Sequence, residues 1–480
     1  MISLILIIYI LYYFIYLFDE NPNSTSKYLG DDAKEVFVPK KGLENKSIAI
    51  IGGGISGLSA AKYLLEANAN VTLLEKENRL GGNNDPYLEN GKHYATTVIV
   101  TYPCQQPHYL NLCRELGISQ IPHDFENLEG EITLKDRKLK LKMGSGFWTF
   151  LKYVYKQCSK KELLDGLYIM FLFYKQFKLK PESNKSIKDV LGKRLVKSSA
   201  FTHVFMPWIG INTWCRFDDI DTQPAHIFGA FIYEYAMTLS IRKKDYLEKE
   251  NGWCVLDGRI IHQLEKKLKE NNNYTQIKDF NSIDIIREDK KIKIKSDNGQ
   301  LLEFDKVIVA TQPFQALPLI EKIGTKKLIN ELRKWPKMDC YVILHKDLSQ
   351  IKDMPWLHQT HTNKKTKKYY ITNTIKPRMS KIKFDCTITF VYNTINYEDF
   401  IENQIDRNKI IKIYTPKLPI FTLENSINRN GHWDLIDKEC NDIYWTQACK
   451  SGIQYHNNAI LNSKKIVKIM AEKELNLIKV

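Results

Sequence analysis

Residues 2–18 form an uncharged, almost wholly apolar run. As a helix rising about 1.5 Å per residue, it would nearly cover the ~30 Å hydrocarbon core of a bilayer. No basic region precedes it and no small-residue cleavage site follows, so an uncleaved anchor is expected rather than a secretory signal. Lys27, Lys34, Lys40 and Lys41 follow, and the positive-inside tendency then places the body of the protein on the cytoplasmic side. Residues 19–45 carry Asn, Pro, Ser, Gly and charge without periodicity and read as a linker. Beyond it the pattern becomes that of a folded body. The run Ser47-Ile48-Ala49-Ile50-Ile51 predicts a strand buried on both faces, and apolar Leu58, Ala61, Leu64 and Leu65 predict a helix. Residues 71–74 then predict a second strand, with Glu75 at its end. Much later, residues 291–295 alternate, Asp297-Asn298-Gly299 signals a turn, and residues 301–304 lead into the apolar run 307–310. That order predicts a hairpin feeding a buried strand.

The first strand and helix are joined by Gly52-Gly53-Gly54-Ile55-Ser56-Gly57, a G-x-G-x-x-G. In this order Gly52 permits a tight turn, Gly54 lets backbone approach a pyrophosphate, and Gly57 lets helix and strand pack closely. The helix N-terminus, including Ile55 and Ser56, then faces the phosphates, and Glu75 at the second strand's end accepts hydrogen bonds from a ribose diol. The glycines alone would be a weak, generic NAD(P)- or FAD-binding signal. Strand, glycines, helix, strand and carboxylate together make a strong one.

The continuation Glu75-Lys76-Glu77-Asn78-Arg79-Leu80-Gly81-Gly82 resembles the flavin-containing amine oxidase and phytoene desaturase superfamily, whose members follow the ribose-binding acid with Arg-x-Gly-Gly. The likeness is greatest to an amine-oxidase-like NAD/FAD-binding subgroup also found fused to plant cyclopropane fatty acid synthases. It extends loosely over residues 46–468 through Tyr102-Pro103, residues 252–258, residues 304–311 and Val342-Ile343-Leu344-His345-Lys346-Asp347. The resemblance implies FAD as cofactor, with Lys76, Arg79, Gly81 and Gly82 joining the contacts at Gly52, Gly54, Ile55, Ser56, Gly57 and Glu75. It implies an α/β fold, with a three-layer Rossmann-like FAD domain assembled from residues 46–102, 252–319 and 427–480. An α+β substrate domain would come from residues 103–251 and 320–426, and the apolar helix 1–18 and linker 19–45 would precede both. Monoamine and polyamine oxidases hold a lysine near the flavin N5, and a loose alignment puts Lys346 there as the catalytic candidate.

The chain departs from the superfamily in two places. Residues 443–463 offer Ala448 where glycine is usual, Asn457 where an acid follows His456, and Asn462-Ser463 at the helix start. Thr96-Thr97-Val98-Ile99 stands where relatives tend to place glycine beside the flavin. The leading expectation is an FAD-dependent oxidoreductase that moves a hydride to flavin from an amine or, given the anchor and the fatty-acid-modifying relatives, from a lipid-like chain. The departures support a second reading, a catalytically degenerate flavoprotein-like scaffold.

The net charge of +16 raises a third reading, a basic membrane-surface or nucleic-acid-binding protein. The lysines are nevertheless spread along the chain. The densest run, Lys364-Lys365-Thr366-Lys367-Lys368, lacks aromatic interleaving, so nucleic acid is not expected as a partner. No specific protein partner is inferred. Nine scattered cysteines without a C-x-x-C pair favour a reducing compartment over a disulfide framework. His358 and His361 have no third ligand at metal spacing, and no metal is expected. The aromatic stripe Phe228, Phe231, Ile232 and Tyr235 suits a helix core more than a substrate pocket. The apolar stretch 163–177, too short to span a bilayer, suits a buried helix and an amphipathic surface helix equally.

Overall fold

A computed structural model describes residues 35–477 apart from 95, 98–99, 102–105, 120, 123–127, 135–136, 144–154, 179–184, 207–208, 211–216, 227–228, 230–253, 256–257, 350, 352–355, 363–368, 376–385, 393–397, 427–428 and 452–454. The expected anchor 2–18, most of the linker, Tyr102-Pro103, Val98-Ile99, Gly252-Trp253, Trp208, Trp214, the stripe from Phe228 to Tyr235 and the run 364–368 all lie outside the described residues. Among the described residues no helix is long and apolar enough to cross a membrane.

Strand Ser47–Ile51 (β1) is continuously apolar because both its faces are covered, with Ile48, Ala49 and Ile50 fully buried. It passes through the glycines into helix Ile55–Glu66 (α1), which buries Leu58, Ala61 and Leu64 on the sheet. The chain returns as Asn70–Leu74 (β2), parallel to β1 with Leu74 beside Ile51. Tyr274–Ile277 (β3), Lys306–Val309 (β4) and Ile443–Trp445 (β5) complete a parallel sheet in the order β3-β2-β1-β4-β5. Helix Pro107–Glu115 (α2) and the long helix His456–Glu474 (α3) pack with α1 on one face. β4 is entered through the antiparallel strands Ser282–Glu288, Lys291–Ser296 and Leu301–Phe304, whose turn uses Gly299 at φ +86°. At its foot the Asp305 carboxylate accepts from the Ser47 N–H (2.8 Å) and hydroxyl (2.9 Å), tying the start of β1 to the start of β4.

Among the described residues a second, mostly antiparallel sheet has eight strands. At one edge Ile410–Tyr414 pairs with Lys337–His345, which pairs in turn with Thr387–Tyr392. His358 and His361 fall on its strand Trp356–Thr362, so no helical face joins them. Among the described residues no group of His, Cys, Asp or Glu is placed to hold a metal. Helix Lys160–Lys178 buries Asp165, Ile169 and Phe173 against a cluster that includes Ile187 and Leu191, and exposes Leu164 and Tyr168.

Candidate functional site

The carboxyl ends of β1, β2 and β4 open into one cleft of about 930 Å³, at the upper end of the ~300–1,000 Å³ usual for ligand pockets. Ligands of open α/β sheets bind outside the carboxyl edge of the strands. Ile51, Gly52, Leu74, Glu75, Ala310 and Thr311 supply that edge here.

Two glycine loops lie back to back across the cleft floor. Gly52, at φ +108°, turns the chain sharply and donates its N–H to the Leu74 carbonyl at 2.8 Å. The buried Glu75 carboxylate accepts from the Gly53 N–H at 2.6 Å and from the Glu77 N–H at 3.0 Å, which fixes it at the tip of β2. The second loop is joined by Gly81 N–H donating to the Gly53 carbonyl at 2.8 Å. Gly81, at φ +112°, leaves no room for a side chain, since a Cβ there would stand 2.2 Å from the Asn84 carbonyl oxygen. Arg79 clasps this loop, donating to the Gly82 carbonyl at 3.2 Å and lying 3.5 Å from Asp85.

The glycines do different work. A Cβ on Gly57 would fall 1.9 Å from the Gly52 carbonyl oxygen, so Gly57 is required by helix–strand packing and does not line the cleft. A Cβ on Gly54 would meet nothing nearer than 3.9 Å, so its smallness keeps the cleft itself open. Ile55, Ser56, Lys76, Arg79 and Gly82 all line the cleft, with Lys76 half exposed at the rim and 3.2 Å from Glu77.

Lys346 is placed elsewhere. It follows the end of strand Lys337–His345, where its backbone is tied to the Lys409 carbonyl at 2.8 Å. Its side chain is half exposed, 3.7 Å from Glu89, and does not line the cleft. Lys412, paired in register with Leu344 across the sheet, does line it. Its ammonium stands 3.0 Å from Asp85 and 4.6 Å from the centre of the Tyr414 ring. Its one sequence signal is the alternation Ile411-Lys412-Ile413, which carries no motif of its own.

The departures are absorbed by the fold. Asn457 Oδ1 accepts from the N–H groups of His108 (2.8 Å) and Tyr109 (3.3 Å), so it caps α2 from another helix, a duty any side-chain oxygen can perform. Ser463 donates to the Ser56 carbonyl at 2.8 Å, tying α3 to α1. Asn462 donates to the Gln447 carbonyl at 2.8 Å, and Ser56 to Gln447 Oε1 at 3.2 Å. The hydroxyls of Thr96 and Thr97 clip the carbonyls of Asp85 and Asn83, which gives threonine a role at this position.

The residues fit a cofactor with phosphates, ribose and a polar ring. Asn84 Nδ2 and Oδ1, Thr311 Oγ1, Gln312 Oε1 and His456 Nδ1 are buried with no hydrogen-bond partner among the described residues, and these side chains line the same cleft. Buried polar groups left unpaired cost about 1–3 kcal/mol each, so the cleft is built for a polar ligand. Burial also pushes the His456 imidazole down to about 4, so it is neutral at pH 7.

A family model described as flavin containing amine oxidoreductase matches residues 55–339. Carotenoid 3,4-desaturase of Haloarcula japonica is 55% identical over 40 residues, 8% of this chain and 8% of that protein. Flavin-containing amine oxidase A of Equus caballus is 42% identical over 73 residues, 15% of this chain and 14% of that protein. The likeness to these curated relatives thus spans well under two thirds of their length. Among solved structures, putrescine oxidase bound to putrescine is 12% identical with a TM-score of 0.60, the match covering 88% of this chain and 98% of that one. The CLA-producing fatty acid isomerase from P. acnes is 14% identical with a TM-score of 0.60, again over 88% and 98% of the two chains. At those identities the structural likeness speaks to fold.

Proposed function

Because the chain belongs to the flavin-containing amine oxidoreductase family, with FAD as the cofactor which that family implies, we propose that it is an FAD-dependent oxidoreductase that takes a hydride from an amine or a lipid-like substrate. The observation that carries this is the convergence of Gly54, Glu75, Arg79 and Gly82 with several unpaired polar side chains on a single cleft. The N-terminus of α1 and the bare Gly54 would hold the pyrophosphate, and Glu75 a ribose diol. Flavin supplies the redox chemistry, accepting the hydride. The chain's own contribution is to bind and orient. Lys412 and Arg79, both close to the Asp85 carboxylate, set the charge on the part of the cleft that they line. Neutral His456 stands in the first turn of α3 on the same wall.

The amine and the lipid-like substrate stay together in this reading because both chemistries occur among the relatives: an amine oxidase and a carotenoid desaturase by sequence, a putrescine oxidase and a fatty acid isomerase by fold. The apolar segment 2–18 would hold the enzyme at a membrane with its body cytoplasmic, which suits a lipid substrate. Full-length protein should sediment with membranes, while a chain lacking residues 1–18 should not; equal sedimentation would remove the anchor. The test of the whole reading is the visible spectrum of the purified protein and of its heat-released supernatant, followed by anaerobic addition of amines and unsaturated lipids. Flavin bands that bleach with one substrate class support it. A folded protein that is colourless and takes up no FAD would overturn it and favour the scaffold.

A further inference from the structure

Helix Lys160–Lys178 carries two apolar stripes, and the core uses one of them. The inner stripe is Ile169 and Phe173, both fully buried, with Asp165 one turn before them. The outer stripe is Leu164, Leu167, Tyr168 and Phe171, at the i, i+3, i+4, i+7 spacing that puts side chains on one helix face. Leu164 is 47% and Tyr168 39% exposed, Leu167 and Phe171 are half-buried, and the rings of Tyr168 and Phe171 stack with centroids 6.4 Å apart. Tyr155, shortly before the helix, is exposed as well. Single exposed apolar side chains are ordinary on a protein surface, whereas a continuous stripe on one helix face marks an interaction surface.

The charge around the stripe says what covers it. Lys160 and Lys161 stand on the same face, about one turn before Leu164, and both are exposed. Helix Ile187–Val196 packs beside this one and exposes Lys188, Lys193 and Arg194. Residues 155–178 and 185–200 together hold ten Lys and Arg against three Asp and Glu. Those three acids are engaged within the protein. Asp165 is buried with Arg194 Nη1 at 2.7 Å, Asp189 accepts from the Ser186 N–H and hydroxyl, and Glu162 accepts from the Ser159 N–H at 2.8 Å. The outward field is therefore positive, and a second copy of the chain would bring the same charge and be repelled. Leucine and aromatic side chains flanked by lysine, with a tyrosine whose ring is apolar and whose tip is polar, are the composition of a helix lying on anionic lipid.

We infer that the outer face of helix Lys160–Lys178, together with the lysines of the helix beside it, docks on an anionic bilayer. This contact is separate from the expected span 2–18 and does not depend on flavin. It reaches towards the cleft through the core. The buried cluster that holds Ile169 and Phe173 also contains Tyr414 and Leu418, which line the cleft. Docking sets lipid on the outer side of the apolar cluster that walls the cleft, which deepens the lipid-like side of the substrate reading.

The test is a hydroxyl-radical footprint of the full chain on vesicles of phosphatidylcholine alone and on vesicles that also carry phosphatidylserine. On the anionic vesicles, labelling of Leu164, Tyr168 and Phe171 should fall about fivefold or more, the factor to which one lysine's attraction to an anionic surface corresponds. Ile169 and Phe173, on the inner stripe, should stay protected on both and report that the fold is intact. High salt, or the exposed double substitution Lys160→Glu with Lys161→Glu, should restore labelling of the outer stripe. Equal labelling on the two kinds of vesicle overturns the proposal, because then either nothing covers the stripe or something other than anionic lipid does. Protection that rises with protein concentration at fixed lipid also overturns it, in favour of a second copy. Sedimentation with vesicles while the stripe stays labelled leaves residues 2–18 as the membrane contact and brings down this inference alone. A colourless protein that still gives the anionic footprint has the opposite meaning, since it keeps this inference and removes the flavin enzyme.

Discussion

At the scale of single residues, the glycines of one motif separate binding from folding. Gly54 has an ordinary φ of −74° and open space where a Cβ would go, so a larger residue there is tolerated by the fold and projects into the cleft. Gly54→Leu should therefore fold with near-normal stability and lose FAD, read as a colourless protein that melts at the temperature of FAD-free wild type. Gly57→Ala should behave in the opposite way. Its Cβ would collide with the Gly52 carbonyl, backbone that cannot step aside, and the cost should be about 3 kcal/mol or more in denaturant titration. The sequence pattern alone treats the two glycines alike, and what tells them apart is the distance to a carbonyl that only the folded loop brings near. Asn84 and Lys412 were missed for a related reason. Each sits outside any motif, and each acquires its place in the cleft from partners distant in sequence, Lys417 for the turn of Asn84 and Asp85 for Lys412.

At the scale of elements, what the sequence made legible was local: β1, the glycine turn, α1, β2 and Glu75 follow one another within thirty residues, and so do the hairpin strands that lead into β4. Strands β3 and β5 have no such context, since their places are set by parallel pairing with β2 and β4 across long intervals. Lys346 illustrates the same limit: a loose match to relatives does not fix where a side chain goes, and this one stands half exposed beside Glu89, off the cleft. Helix-to-helix ties were also illegible. Asn457 looked like a lost acid, yet its oxygen caps α2. Asn457→Ala should cost about 1 kcal/mol of stability, and Asn457→Asp less, because the carboxylate still accepts at the N-terminus of α2 although it gives up the Nδ2 donation to Asn458 Oδ1 at 3.3 Å. A loss for Asp as large as for Ala, in the same denaturant assay, would refute the capping role. A second tie is the pair between Lys450 and Asp437, 2.6 Å apart and each about 2% exposed, which fastens the turn carrying Gln447 and Ala448 to helix Arg429–Glu439. Asp437→Leu removes both oxygens that face the Lys450 ammonium and should cost about 3–5 kcal/mol, whereas replacing both partners with apolar residues of similar size should cost far less.

At the scale of the whole molecule, buried titrating groups set how stability responds to acid, and they pull in opposite directions. Burial pushes the His345 and His456 imidazoles down from 6.5 to about 4. Each therefore contributes stability that is complete above pH 6.5 and is lost as the pH falls towards 4. A shift of that size is worth about 3 kcal/mol per histidine. Burial pushes the Asp437 carboxyl up from 3.8 to about 6, against the opposing pull of Lys450. Its contribution is complete below pH 3.8 and is lost as the pH rises through 6, so acidification recovers about 3 kcal/mol there. With two groups against one, the balance between pH 7 and pH 4 is a net loss on the order of 3 kcal/mol, read as a falling urea midpoint. His345 lies in the second sheet, where its Nε2 is 2.9 Å from the Thr389 hydroxyl, and His456 in the cleft wall, so their shares can be separated. His456→Phe should flatten about half of the acid loss from the two histidines and leave the part due to His345. FAD, which binds the folded state alone, should raise the midpoint at every pH, by about 2.7 kcal/mol at a hundred times its dissociation constant. A midpoint that rises steadily from pH 7 to pH 4 would mean that the carboxyl of Asp437 outweighs both histidines, and would overturn this ranking of the buried groups.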